Sequence, residues 1–192
     1  MARIHQWIHH DRLSYLLFEP ISRRSALIDP LLDLESQYHS VLGSKGLTNL
    51  YQLHTHETDA NDFSGLDLPG NRVDARNIGS ELTLGETRIQ ILTCGCGSHR
   101  AFVCDGLVFS GEWWLPFDLR SDEARSLRNL KLTRDHSTAQ NGGARSDFEA
   151  RQPLVDLPCD YVLYPGKAVN GIRISSIAQE CAWSDKREHA HV

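Results

Sequence analysis

Apolar residues come in short runs along this chain, mostly alternating with polar neighbours and cut by glycine, proline or Asp-Gly. LSYLLFE (Leu13 to Glu19) and SALIDP (Ser25 to Pro30) are two such runs with a polar turn between them. They predict a β-hairpin whose second strand stops at Asp29-Pro30. From Leu31 to Leu42 the spacing changes: Leu31, Leu32, Leu34, Tyr38, Val41 and Leu42 recur at helical intervals, and Gly43 and Gly46 are expected to break the helix. LTNLYQL then reads as a third strand that delivers His54 and His56 at its end.

Ser64 to Arg76 carries Gly65, Pro69 and Gly70 and reads as loop. ELTLGETRIQILT predicts two strands around Gly85, and RAFVCDGLVFSGE two more around Asp105-Gly106. Ser121 to Gln140 reads as helical or irregular, NGGARSD as a loop, DYVLYPG as a last buried strand, and Ile172 to Ala182 as a closing helix. Strands and helices in this order imply sheets with helices packed outside. A Rossmann sheet is excluded, because no Gly-x-Gly-x-x-Gly follows the first strand.

The 192 residues suffice for one well-cored domain, 1–192, and not for two. A net charge of −5 gives no reason to expect nucleic acid or an acidic membrane as partner. The local basic set Arg125, Arg128, Lys131 and Arg134 is broken by acidic residues and reads as a solvated helical face. Met1 to His10 is polar and predicts no targeting signal, and no apolar run reaches the ~20 residues of a membrane span. Five cysteines, an odd number, then point to reduced thiols in the cytoplasm.

Three predicted strand ends carry chemistry-bearing groups. His54-Thr55-His56-Glu57 puts two imidazoles on one face by the period of two. Thr93-Cys94-Gly95-Cys96-Gly97 is a glycine-rich turn presenting thiols, and Phe109-Ser110-Gly111-Glu112 runs into a carboxylate. Each also has a plain structural reading. His54 suits a packed or edge histidine, Cys96 a small buried hydrophobe, and Glu112 before Trp113-Trp114 a turn cap. Asp59 and Asp62 suit Asx turns, and Asp29 suits a strand-end carboxylate accepting backbone N–H bonds near the site.

On YLLFEP with ALIDP, LYQLHTH, ELTLGETRIQILTCG, LVFSGE and YPGKAVNGIRISSIAQE, in that order, the chain resembles the metallo-β-lactamase superfamily. Within it, the likeness is to the persulfide dioxygenases (sulfur dioxygenases) close to glyoxalase II, and it runs from about Ser14 to Glu180. It implies an α/β (α+β) αββα sandwich: two mixed sheets with helices outside. The family carries Thr-His-x-His-x-Asp-His at the first strand end. Matching on Leu-x-Thr-His puts His56 at the first ligand, with Thr58, Ala60 and Asn61 at the second histidine, the aspartate and the last histidine. A rival register sets His54 and His56 on His-x-His but leaves the loop to Gly65 three residues long, against one. The family's Thr-Pro-Gly-His becomes Thr93-Cys94-Gly95-Cys96, its Thr-Gly-Asp becomes Ser110-Gly111-Glu112, and its Pro-Gly-His-Asp-Tyr-x-Gly becomes Pro165 to Gly171, with Lys167 at the histidine and no tyrosine.

The dioxygenases hold one iron on the first histidine, the Pro-Gly-His histidine and the carboxylate, so the implied ligands here are His56, Cys96 and Glu112. His54, Asp59 and Lys167 would add to the pocket, and Arg120 resembles the arginine that reaches a glutathione carboxylate. Arg120 equally suits a surface pair with Asp118 or Asp122. In a dry pocket Lys167 would either have its own pKa depressed or pair with Glu112 or Asp59, and paired with Glu112 it would stand in for a cation. Changes to ligands and substrate positions together favour a divergent or pseudo-enzyme that keeps a pocket for a small thiol or persulfide such as a glutathione derivative. The alternative is an active mononuclear-iron dioxygenase, with a glyoxalase II-like zinc thioester hydrolase a distant third. The expected cofactor is one iron, zinc being less favoured, or none. A homodimer is left open.

Overall fold

A computed structural model of the chain describes residues 1–56, 66–72, 79–94, 99–116, 153–154, 156–180 and 182. The segment 121–140, the NGGARSD loop, the basic set, and the site candidates Asp59, Cys96 and Arg120 lie outside the described residues.

Two sheets face one another. The first runs in the order β1 (Arg3–His9), β2 (Arg12–Glu19), β3 (Arg24–Ile28), β4 (Thr48–Leu53), β5 (Asn71–Arg72). The second contains β6 (Glu81–Leu84), β7 (Thr87–Thr93), β8 (Arg100–Cys104), β9 (Leu107–Gly111), β10 (Val162–Pro165) and β11 (Ser175–Ser176), in spatial order from β11 back to β6. Pairing is antiparallel except at β3–β4, β4–β5 and β9–β10, so both sheets are mixed.

The central strands are buried on both faces, which is why they read as nearly continuous apolar runs. In β2, Leu13, Tyr15 and Leu17 enter the core between the sheets, where they join Ala26, Ile28, Leu53, Leu84, Ile89, Phe102 and Phe109. Leu16 and Phe18 point the other way, into a layer with Leu27, Leu31, Leu34, Tyr38 and Leu42. That layer is closed by a 3₁₀ turn (Leu32–Leu34) and helix α1 (Glu35–Lys45). On the far side of the second sheet, Ala101, Val103, Val108 and Leu163 pack with Trp113, Trp114, Leu154 and Ile177. Helical cover on the outer faces and a shared core between the sheets give the expected αββα order.

The hairpin of β2 and β3 and the strand pairs around Gly85 and Asp105-Gly106 form as the pattern predicts. Four expectations need correction. Residues 3–9, passed over as polar, form edge strand β1; Ile4 and Ile8 lean on the core while Trp7 packs edge-on against Tyr38 at 4.8 Å. An edge strand with three histidine or glutamine positions carries a weak apolar signal. Gly43 lies inside α1, and Gly46 ends it in the left-handed conformation at φ 58°, with the Leu47 N–H bonded to Leu42 O at 2.9 Å. DYVLYPG is not the last strand, since β11 pairs with β10, and the closing helical residues begin at Ile177 rather than Ile172.

Candidate metal centre

Because β3 and β4 are parallel, as are β9 and β10, each pair presents its C-terminal ends together. Those ends carry the candidate chemistry. Asp29 follows β3 at φ +48°, and its N–H donates to Leu53 O at 2.9 Å. Its carboxylate, 8% exposed, takes both donors of Thr55: the backbone N–H on Oδ1 at 2.8 Å and the hydroxyl on Oδ2 at 2.7 Å. The strand-end role read for Asp29 therefore holds. Burial pushes its carboxyl above the ordinary range, opposed by the two Thr55 bonds and by the charges of His56 and Arg12.

Thr55 is held from a third side. Its carbonyl accepts the Arg100 N–H at 2.6 Å, His56 forms a backbone bridge to His99, and the Cys94 N–H donates to His99 O at 2.9 Å. The end of the first sheet is thereby stitched to the start of β8. His99, half-buried beside His56, was not singled out from the sequence. Its position just after the glycine-rich thiol turn was the available signal.

Glu112 sits in a tight turn closed by the Trp113 N–H on Ser110 O at 3.0 Å, and the Ser110 hydroxyl donates to Trp114 O at 2.8 Å. Both tryptophans are buried, so they anchor the turn while the Glu112 side is exposed. Gly111 has φ +57°, and a Cβ there would lie 1.9 Å from Thr55 Oγ1. On its other side the Gly166 N–H donates to Gly111 O at 2.8 Å, and a Cβ on Gly166 would meet Gly111 Cα at 3.0 Å. Only glycine meets both demands at position 111: the left-handed backbone and the close approach of a neighbouring side chain. The strand ends bearing His56 and Glu112 are thus brought together at the Thr55–Gly111 contact.

Lys167 departs from expectation. Its side chain is 46% exposed and its Nζ lies 2.9 Å from Asp11 Oδ2. The backbone is clasped there too, through a bridge to Arg12 and bonds from Leu13 N–H to Gly166 O and from Ala168 N–H to Asp11 O. The lysine is at the surface, not in a dry pocket, so a buried-charge cost does not apply. Lys167→Met should change the unfolding free energy by less than about 1 kcal/mol, as for an exposed ion pair. Urea denaturation checks this, and a loss of several kcal/mol would return Lys167 to the interior.

His54 is half-buried with both ring nitrogens away from solvent. Cys104 belongs to the core between the sheets, where burial pushes its thiol up to about 12 and makes it a packing residue. Among the described residues, no three histidine, cysteine, aspartate or glutamate side chains form a group that could hold a metal. Cys96, the third member of the implied triad, is outside them. As chemistry, an imidazole, a thiolate and a carboxylate are a competent donor set for one iron or zinc. A second metal would have Ala60, Asn61 and Lys167 as its ligands, and these do not fit one.

No family model matches the chain, and no curated protein matches it in sequence. Solved structures do match. ETHE1 from Myxococcus xanthus is similar at a TM-score of 0.68 and 21% identity, over 93% of this chain and 81% of that one. A metallo-β-lactamase from Staphylococcus aureus gives 0.64 at 19%, over 96% of this chain and 63% of its own. TTHA1623 in a di-iron-bound form gives 0.53 at 17%, over 93% and 96%. With two mixed sheets packed face to face and helical cover outside, the chain has the metallo-β-lactamase fold.

Proposed function

We propose that this protein is a divergent relative of the persulfide dioxygenases that binds a small thiol or persulfide, such as a glutathione derivative. It holds a single metal, iron before zinc, on His56, Cys96 and Glu112. The observation that carries this reading is the seating of two ligand-bearing segments on one another: Asp29 grips Thr55, and Thr55 meets Gly111. A scaffold this close-fitted at the foot of both segments supports a site in use. The exposure of Lys167 weighs the same way, since it removes the argument that a buried ammonium has replaced the cation.

In this reading Asp29 and Thr55 hold the strand end that bears His56, the Trp113-Trp114 anchor holds the Glu112 turn, and Arg120 receives a substrate carboxylate. A bound iron would supply the redox chemistry that joins O₂ to a thiol or persulfide sulfur. The pseudo-enzyme remains the second reading, favoured by the change of histidine to Cys96 and the absence of a tyrosine between Gly166 and Gly171. The hydrolase reading is third, set back by Ala60, Asn61 and Lys167.

Oxygen uptake with glutathione persulfide separates the first two. Iron-loaded protein should consume O₂ on addition of the persulfide, and iron-free protein should not. A flat trace from protein that holds its iron would leave the thiol-binding pseudo-enzyme.

A further inference from the structure

We infer that Thr55 is a positioning residue for the metal site: it sets where His56 and the Glu112 turn stand relative to each other. The inference rests on the one-metal reading above and adds a residue that binds no metal itself.

The argument starts from how completely Thr55 is fixed. Its N–H and its hydroxyl both bond the Asp29 carboxylate, at 2.8 and 2.7 Å, and its carbonyl takes the Arg100 N–H at 2.6 Å. Thr55 is 1% exposed, so water does not compete for these bonds. A β-branched side chain with its hydroxyl pinned has one rotamer available. That rotamer presents Oγ1, Cβ and Cγ2 to Gly111, as the places a Cβ would occupy show: 1.9, 2.4 and 3.1 Å from those atoms. Gly111 is pressed from behind by Gly166 and tied to it by the 2.8 Å bond. The turn that carries Glu112 therefore has a wall on either side.

His56 is the next residue after Thr55, and Glu112 the next after Gly111. A shift of Thr55 moves the first donor by its backbone and the second by its packing. Residues that orient metal ligands from behind typically account for 10–100-fold in metal affinity.

Cobalt(II) titration of metal-free protein, followed by equilibrium dialysis, tests this. Wild-type protein and Thr55→Ser, which keeps the hydroxyl bond to Asp29, should bind cobalt within about threefold of each other. Thr55→Val, with the same shape and no hydroxyl, should bind about 10–100-fold more weakly. Should Thr55→Val fail to fold, Thr55→Ala, which removes the hydroxyl and the atoms that meet Gly111 without adding a clash, should show the same loss. A variant of either kind that melts earlier yet binds cobalt as tightly as wild type would make Thr55 merely structural and overturn the inference. Wild-type protein that binds no cobalt would overturn the one-metal reading and this inference with it.

Discussion

Asp29→Ala is expected to lower the unfolding free energy by about 2–5 kcal/mol, the largest stability effect foreseen for any residue at the site. The alanine leaves the Thr55 N–H and hydroxyl without their acceptors in a place water does not reach. Each buried donor so orphaned costs roughly 1–3 kcal/mol. Asp29→Asn should cost less, because the amide oxygen can take the N–H and the amide nitrogen can donate to Thr55 Oγ1.

Both variants also lose a pH dependence that the wild type has. Burial raises the Asp29 carboxyl, so the folded protein keeps this proton to a higher pH than the unfolded chain does. Its contribution to stability is full below the ordinary aspartate range and is lost as pH rises through the raised folded value. The stability of wild type relative to Asp29→Asn should therefore fall on going upward from about pH 3. Urea midpoints across this range check both points. An Asp29→Ala protein within about 0.5 kcal/mol of wild type would remove the clamp from the account.

The second large effect concerns the ligands. His56→Ala and Cys96→Ala should each abolish metal binding, and Cys159→Ala should leave it unchanged, since Cys159 is exposed on the approach to β10. Loaded with cobalt or ferric iron, the wild-type protein should show a thiolate charge-transfer band in the visible or near ultraviolet. Cys96→Ala should lack it. Unchanged metal content in Cys96→Ala would take the cysteine out of the site and leave two predicted ligands.

Much of this architecture can be read from the chain, for a physical reason. Strands buried on both faces, such as β2 and β9, leave long apolar runs bounded by turn residues, and these survive in LSYLLFE and LVFS. Edge elements leave less. β1 pairs on one side only and carries His5, Gln6 and His9, so its period is diluted, and two-residue β11 is too short to have one. Gly43 shows the limit of reading glycines singly: both Gly43 and Gly46 can stop a helix, and the φ of 58° at Gly46 is what decided between them.

At the candidate site, residue type was legible and surroundings were not. Asp29 could be read as a strand-end acceptor because it stands where an apolar run stops before a proline. That its partner is Thr55, 26 residues away, depends on the parallel pairing of β3 with β4. The surface position of Lys167 is hidden from a local reading for the same kind of reason. Its place in YPGK suggests a pocket, whereas the bridge between residues 12 and 167 carries it to Asp11 at the hairpin tip. Contacts set by pairing between distant segments are written in no local pattern.

The central claim is a single metal on His56, Cys96 and Glu112, and elemental analysis tests it most directly. Protein purified without affinity-tag nickel and dialysed against metal-free buffer should retain about one equivalent of metal per chain, iron before zinc. In His56→Ala that metal should be gone. No metal after loading with iron and dialysis, two equivalents stably held, or a single metal that persists in His56→Ala, would each contradict the account.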